Sequence, residues 1–88
     1  MTEETGVYEA PKFDLPPPTI GRIVIVRDPS RPSNGSIDQP AIINGVWSPT
    51  CINATVFPDC GTPHSRTSLV RINPTDANAV GWFWPTRV

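Results

Sequence analysis

Cys51, Asp59, Cys60 and His64 are the residues of this chain whose types could do chemistry together. A thiolate, a carboxylate and an imidazole can ligate zinc, or can assemble a nucleophile with its base. Their spacing argues against both. Zinc sites of the common kinds use cysteines paired a few positions apart, whereas Cys51 stands on an alternating strand pattern and Cys60 in the loop that follows. Cys60 and His64 share a proline-bearing loop in which side chains so close along the chain rarely converge. The expectation is two free thiols and an ordinary loop histidine, with no catalytic residues, no metal and no cofactor. The sequence has no Gly-rich phosphate loop and no evident pair of carboxylates for acid and base work. The glycosylation-like triplets at Asn34 and Asn53 read as ordinary loop and strand residues.

A second constellation is aromatic and cationic. Arg22, Arg27, Arg66, Arg71 and Arg87 flank predicted strands, and the tryptophans are Trp47, Trp82 and Trp84. Every base except Lys12 is an arginine, which suits planar contacts with carboxylates, phosphates and aromatic faces. Trp82, Trp84, Arg22 and Arg87 are the candidate binding surface of the body, and Trp47 is expected in the core. A net charge of -1 offers no field of one sign for a nucleic acid backbone or an anionic lipid surface, so neither is an expected partner. The apolar run Ile23 to Val26 is too short to span a bilayer, and the acidic stretch MTEETGVYEAPKF has no charged leader followed by an apolar segment, so neither a membrane anchor nor a signal peptide is expected.

These residues must be positioned by few elements. A chain of 88 residues forms one domain at most, and its 12 prolines argue against long helices, because each removes a backbone donor and clashes with the preceding turn. Residues 1–19 end in DLPPPT and carry no sustained period, so they are expected as an extended Pro-rich arm whose anchors on a partner are Tyr8, Phe13 and Leu15. Residues 20–88 are expected as the body. The β-branched segment 20–27 is predicted as a strand that stops at Asp28-Pro29, followed by a long mobile loop. Segment 40–47 is a second strand with a bulge or bend at Asn44-Gly45, and segment 50–57 a third, in which Cys51, Asn53 and Thr55 alternate with Ile52, Ala54 and Val56. After the loop 58–65 a fourth strand covers 67–72, one short helical turn is expected in 74–80, and 81–85 is the fifth strand.

Five short strands with a long first loop and a short last connection predict an all-β fold, a small five-stranded antiparallel barrel of the Src-homology-3-like type, with an oligonucleotide-binding-like barrel as the alternative. The last strand would then pair with the first. Trp82 and Trp84 would share one face and cover a seam, with Phe83 on the other.

The segments GRIVIV at 21–26, QPAIINGVW at 39–47, CINATVF at 51–57, TSLV at 67–70 and GWFWPTRV at 81–88 are similar, in order and spacing, to a family of small proteins of tailed bacteriophages and prophages. The resemblance covers about three quarters of the chain. It implies a phage origin and an all-β fold, and it supplies no active site. The chain departs from the family pattern at Gln39, where arginine is usual, at Phe83, where histidine is usual, and at Thr86, where an acid is usual.

The functional expectation is a non-enzymatic bacteriophage protein that works by assembly. It would be a virion accessory subunit of the head or tail, or a capsid decoration subunit, made in the host cytoplasm and docking through its arm on capsid or tail subunits or on itself. The alternative is a counter-defence protein that binds a host protein or sequesters a nucleotide signal, stacking the base on Trp82 or Trp84 and clamping phosphate with an arginine.

Overall fold

The computed structural model describes residues 16–85. Five strands form one antiparallel sheet: β1 (Ile23–Arg27), β2 (Asp38–Val46), β3 (Cys51–Val56), β4 (His64–Val70) and β5 (Gly81–Phe83). Their order across the sheet is β4-β3-β2-β1-β5, so the last strand pairs with the first. Alternation decides the faces. Val24, Val26, Ala41, Ile43, Ile52, Ala54, Val56, Leu69 and Trp82 point inward and make one buried cluster. Ile23, Ile42, Thr55 and Ser65 stand opposite one another on the outer face, through the pairs Ile23–Ile42, Ile42–Thr55 and Thr55–Ser65.

Two bulges curl the sheet, and one side chain serves both. The β2–β3 register shifts between Ile43 and Gly45, as the Asn44-Gly45 pair predicts. The β3–β4 register shifts opposite Asn53, where Ser68 takes a left-handed φ of 55°. Asn53 Oδ1 accepts the Ser68 amide at 2.9 Å and the Trp47 indole Nε1 at 2.9 Å, which gives the displaced backbone donor a partner. A Cβ on Gly45 would stand 3.3 Å from the Asn53 Cβ, so glycine leaves room for this side chain.

The curled sheet closes at one end only, which makes a half-barrel. Arg71 forms a parallel bridge to Trp82, and the Ile72 amide donates to the Trp82 carbonyl at 2.9 Å. Beside it the Thr50 carbonyl accepts both the Arg71 amide at 2.8 Å and the Trp82 indole Nε1 at 3.0 Å. Gly81 lies at the closest approach, where an added Cβ would run into the Val70 carbonyl and the Ile72 side chain.

Three expectations are corrected. The segment 74–80 contains no helical turn. It makes two successive turns, with Asn73 Oδ1 accepting the Thr75 amide at 3.0 Å and Asp76 Oδ1 accepting the Asn78 amide at 3.1 Å. Strand β4 starts three positions early, at His64, because pairing with Val56 overrides the turn-like composition of PDCGTPHS. The loop after β1 is held in place by the rest of the fold. Asn34 and Gly35, at φ 53° and 84°, make a tight turn closed by reciprocal Ser33–Ser36 backbone bonds of 2.9 Å.

Gly81→Ala should lower the unfolding free energy by at least about 2 kcal/mol, because backbone must move to admit the methyl group. Gly35→Ala meets nothing within 4 Å and should cost only the left-handed backbone, about 1 kcal/mol. Urea unfolding of both variants checks this ordering; equal losses would show that the closure at Gly81 is not tight.

Candidate functional site

At one end of the sheet, charged residues lock the loops together. Arg27 continues the outer row of β1, and its Nε and Nη2 donate to Asp38 Oδ1 and Oδ2 at 2.7 and 2.9 Å, a bidentate pair. Its Nη1 donates to the carbonyls of Pro74 and Asp76 at 2.8 and 3.0 Å, and its guanidinium lies 4.9 Å from the centre of the Phe83 ring. The hydrogen bond to Asp38 raises the Arg27 pKa above its ordinary value against the opposing effect of burial. The next residue, Asp28, points the other way and pairs with Arg66 at 3.0 Å. Burial pushes the Asp28 carboxyl up, but the Ser30 hydroxyl and amide together with Arg66 outweigh it and hold the group below the usual aspartate range.

Two loops are clamped beside this lock. Ser33 Oγ donates to the Cys60 carbonyl at 2.8 Å and accepts the Cys60 amide at 2.8 Å, while Asn34 Nδ2 donates to Asp59 Oδ2 at 2.9 Å. Both cysteines are free thiols, as expected. Cys51 pairs with Val70 and His64 with Val56, at opposite ends of β3 and about 16 Å apart along it. His64 Nδ1 faces the Thr62 carbonyl at 3.3 Å. Among the described residues no group of three or more His, Cys, Asp or Glu is placed to hold a metal ion.

The aromatic surface is divided between inside and outside. Trp82 is paired with Val26 on the inner face and is fully buried, so its ring offers no face to a ligand. This corrects its assignment to the binding surface. Trp84 is half-buried and meets Trp82 edge to face, with centroids 5.4 Å apart. Arg22 lies over the Trp84 ring at 5.2 Å, so these two candidates are brought together. The Trp84 indole nitrogen is buried without an acceptor among the described residues. Tyr8, Phe13, Leu15 and Arg87 lie outside the described residues.

Trp47, expected in the core, is 69% exposed. It directly follows Val46, the last residue of β2, just before the Ser48-Pro49 turn, where the chain leaves the sheet. That position is the sequence signal for an outward ring. The Trp47 amide bonds the Cys51 carbonyl at 2.9 Å, and Cys51 pairs with Val70, so Trp47 and Val70 flank Cys51 at this end of the outer face. Ile23, Ile42 and Val70 of the outer face are exposed as well, whereas Val46, also exposed, pairs with inward-facing Ile52 at the end of β2. The polar residues between them are satisfied by one another: Asn44 Nδ2 donates to Thr55 Oγ1 at 2.8 Å, and Asn53 accepts from Trp47 and Ser68. The outer face therefore presents a hydrogen-bonded tryptophan and exposed aliphatic side chains, together with polar groups that already have partners.

Comparisons of the chain with protein-family models, with curated proteins and with solved structures give no match. What the fold and this surface define is a class: a small all-β half-barrel whose outer face mixes exposed apolar and polar side chains. No helix among the described residues is long and apolar enough to cross a membrane.

The Asp28 lock is an acid-sensitive element. Its folded pKa is depressed, so its contribution to stability is complete above the unfolded aspartate value near about 4 and is lost as pH falls through the lower folded value. Urea midpoints measured from pH 7 to pH 2 should drop in that acid window, and drop less for Asp28→Asn. Parallel curves for the two proteins would remove Asp28 as a source of the acid sensitivity.

Proposed function

We propose that the chain is a non-enzymatic assembly subunit that docks on a protein partner through its outer face, with the arm segment 1–19 adding a second contact through Tyr8, Phe13 and Leu15. The observation that carries this reading is the exposed Trp47. A tryptophan held by a hydrogen bond, with exposed Val70 across Cys51 and satisfied polar groups beside it, gives up little entropy and few water contacts when covered. Single exposed apolar residues are ordinary on any protein. A pinned aromatic ring on a face that also carries exposed Ile23, Ile42 and Val70 is the composition of an interface centre.

The setting follows from the resemblance to small tailed-phage proteins: a head, tail or capsid decoration subunit, whose partners are capsid or tail proteins or further copies of itself. Src-homology-3-like topology is the finer fold assignment that goes with it. The nucleotide-sequestering alternative is weakened by the burial of Trp82, which leaves Trp84, paired with Arg22, of its two candidate stacking rings.

Quantitative mass spectrometry of purified particles from the source phage should find the chain in many copies relative to the major capsid protein. In a docking assay with those particles, Trp47→Ala should weaken binding by about 2 kcal/mol, roughly thirtyfold, with an unchanged unfolding midpoint. Tyr8→Ala with Phe13→Ala should weaken it independently. Absence from the particle would overturn the assembly reading.

A further inference from the structure

The charges of the described body are sorted to its two ends. Asp28, Asp38, Asp59 and Asp76 all lie at the end where the loops are locked, together with Arg27, Arg31 and Arg66. At the opposite end, where Arg71 bridges to Trp82, stand Arg22 at the entry to β1 and Arg71 after β4, with no carboxylate among the described residues. Segment 1–15 carries the complementary set, Glu3, Glu4, Glu9 and Asp14 against the single base Lys12. We infer that the cationic end built by Arg22, Trp84 and Arg71 is the docking site for the acidic segment 1–15 of a second copy of this chain. The inference rests on the reading of 1–19 as a docking arm, and it names the arm's partner.

The cationic end is one connected structure. Arg22 lies 5.2 Å over the Trp84 ring, Trp84 meets Trp82 edge to face at 5.4 Å, and Arg71 lies 5.9 Å over the Trp82 ring. Each guanidinium is thus stacked on an aromatic face, and neither forms an ion pair among the described residues. At the locked end, by contrast, Arg27 and Arg66 are taken by Asp38 and Asp28. An extended segment, unlike a small ion, does not need its contacts at one point. Carboxylates spaced along the arm can meet cations spaced across this end.

The chain's own arm is led away from these arginines. The Arg22 amide donates to the Thr19 carbonyl at 3.2 Å and Gly21 has a φ of 96°, a β-turn that reverses the chain where it enters β1. The stiff proline run 16–18 therefore heads from Arg22 toward the locked end, and buried Pro18 seats it on the body. That end sets four aspartates against three arginines, so it offers an acidic segment little attraction. The cationic end of another copy offers more, and it is within range: 15 extended residues reach at most about 50 Å, against about 30 Å across a small domain. Arm and docking site lie in different places on one body, so the contact is heterologous and each copy keeps one of the two free for the next. Head-to-tail growth of this kind suits an assembly subunit.

Sedimentation velocity of the purified full chain over a range of concentrations tests this, at about 0.05 M and about 0.5 M salt. The expected result is self-association that weakens at the higher salt. Reversing the arm (Glu3→Lys, Glu4→Lys, Glu9→Lys) or the end (Arg22→Glu, Arg71→Glu) should each weaken it by about tenfold or more. Mixing the two variants should restore association, because the lysine arm of one then meets the glutamate end of the other. The arm reversal leaves the body untouched, so it carries the test alone if loss of the stacked arginines unfolds the other variant. A chain that stays monomeric throughout, self-association that the arm reversal leaves intact, or a mixture of folded variants that stays monomeric would overturn the inference. Docking on particles through Tyr8 and Phe13 is measured separately, so failure here and failure of the arm reading are told apart.

Discussion

The Arg27 guanidinium holds together the parts of this fold that the sheet ladder alone would leave loose. A buried arginine is tolerable only if its donors find acceptors, and four hydrogen bonds supply them: two to the Asp38 carboxylate and two to carbonyls in the connection between β4 and β5. Arg27 thus sets the start of β2 opposite the end of β1 and pins a connection 47 to 49 residues further along the chain. It also covers Phe83, the end of β5. Without the position of that connection, β5 would have no fixed place beside β1. Strand alternation then turns Asp28 to the opposite side, where Arg66 of β4 meets it across the mouth of the half-barrel.

At the other end the constraint is steric and local to Asn53. A flat sheet of five short strands would leave the inner aliphatic cluster open to water, so the sheet must curl. The bulges in β2 and β4 bend it around Asn53, and the carbonyl of that side chain accepts the backbone donor which the second bulge displaces. Curling brings Ile72 and Trp82 within hydrogen-bonding reach and forces the close approach at Gly81. The same acceptor on Asn53 fixes the exposed ring of Trp47, so the residue that shapes the barrel also shapes its outer face.

Surface and closure are therefore coupled. The loops at the mouth, which composition alone would leave free, are tied to each other and to the sheet through Ser33, Asn34 and Gln39. Rigid loops and a rigid aromatic ring lower the entropy lost when a partner binds. A chain of this size, with a small core and a thin stability margin, has little capacity for conformational change in its body. Recognition by prepared surfaces is the mode that suits it.

Much of the architecture was legible along the chain because its signals are local. The period-two alternation of 51–56, the β-branched run of β1, the Asn44-Gly45 bulge and the stop at Asp28-Pro29 each depend on a few neighbouring residues, and they yielded five strands and the pairing of last with first. What the sequence could not decide was which large side chains face inward. Trp82 is buried and Trp47 exposed although both sit in strand-like segments. The difference lies in what each residue meets across the sheet: Val26 and the Thr50 carbonyl for Trp82, the exposed side of Asn53 for Trp47. The same holds for the early start of β4, the absent helical turn and the contacts of Arg27. Each is set by groups distant in sequence, and only the closed tertiary structure brings them into reach.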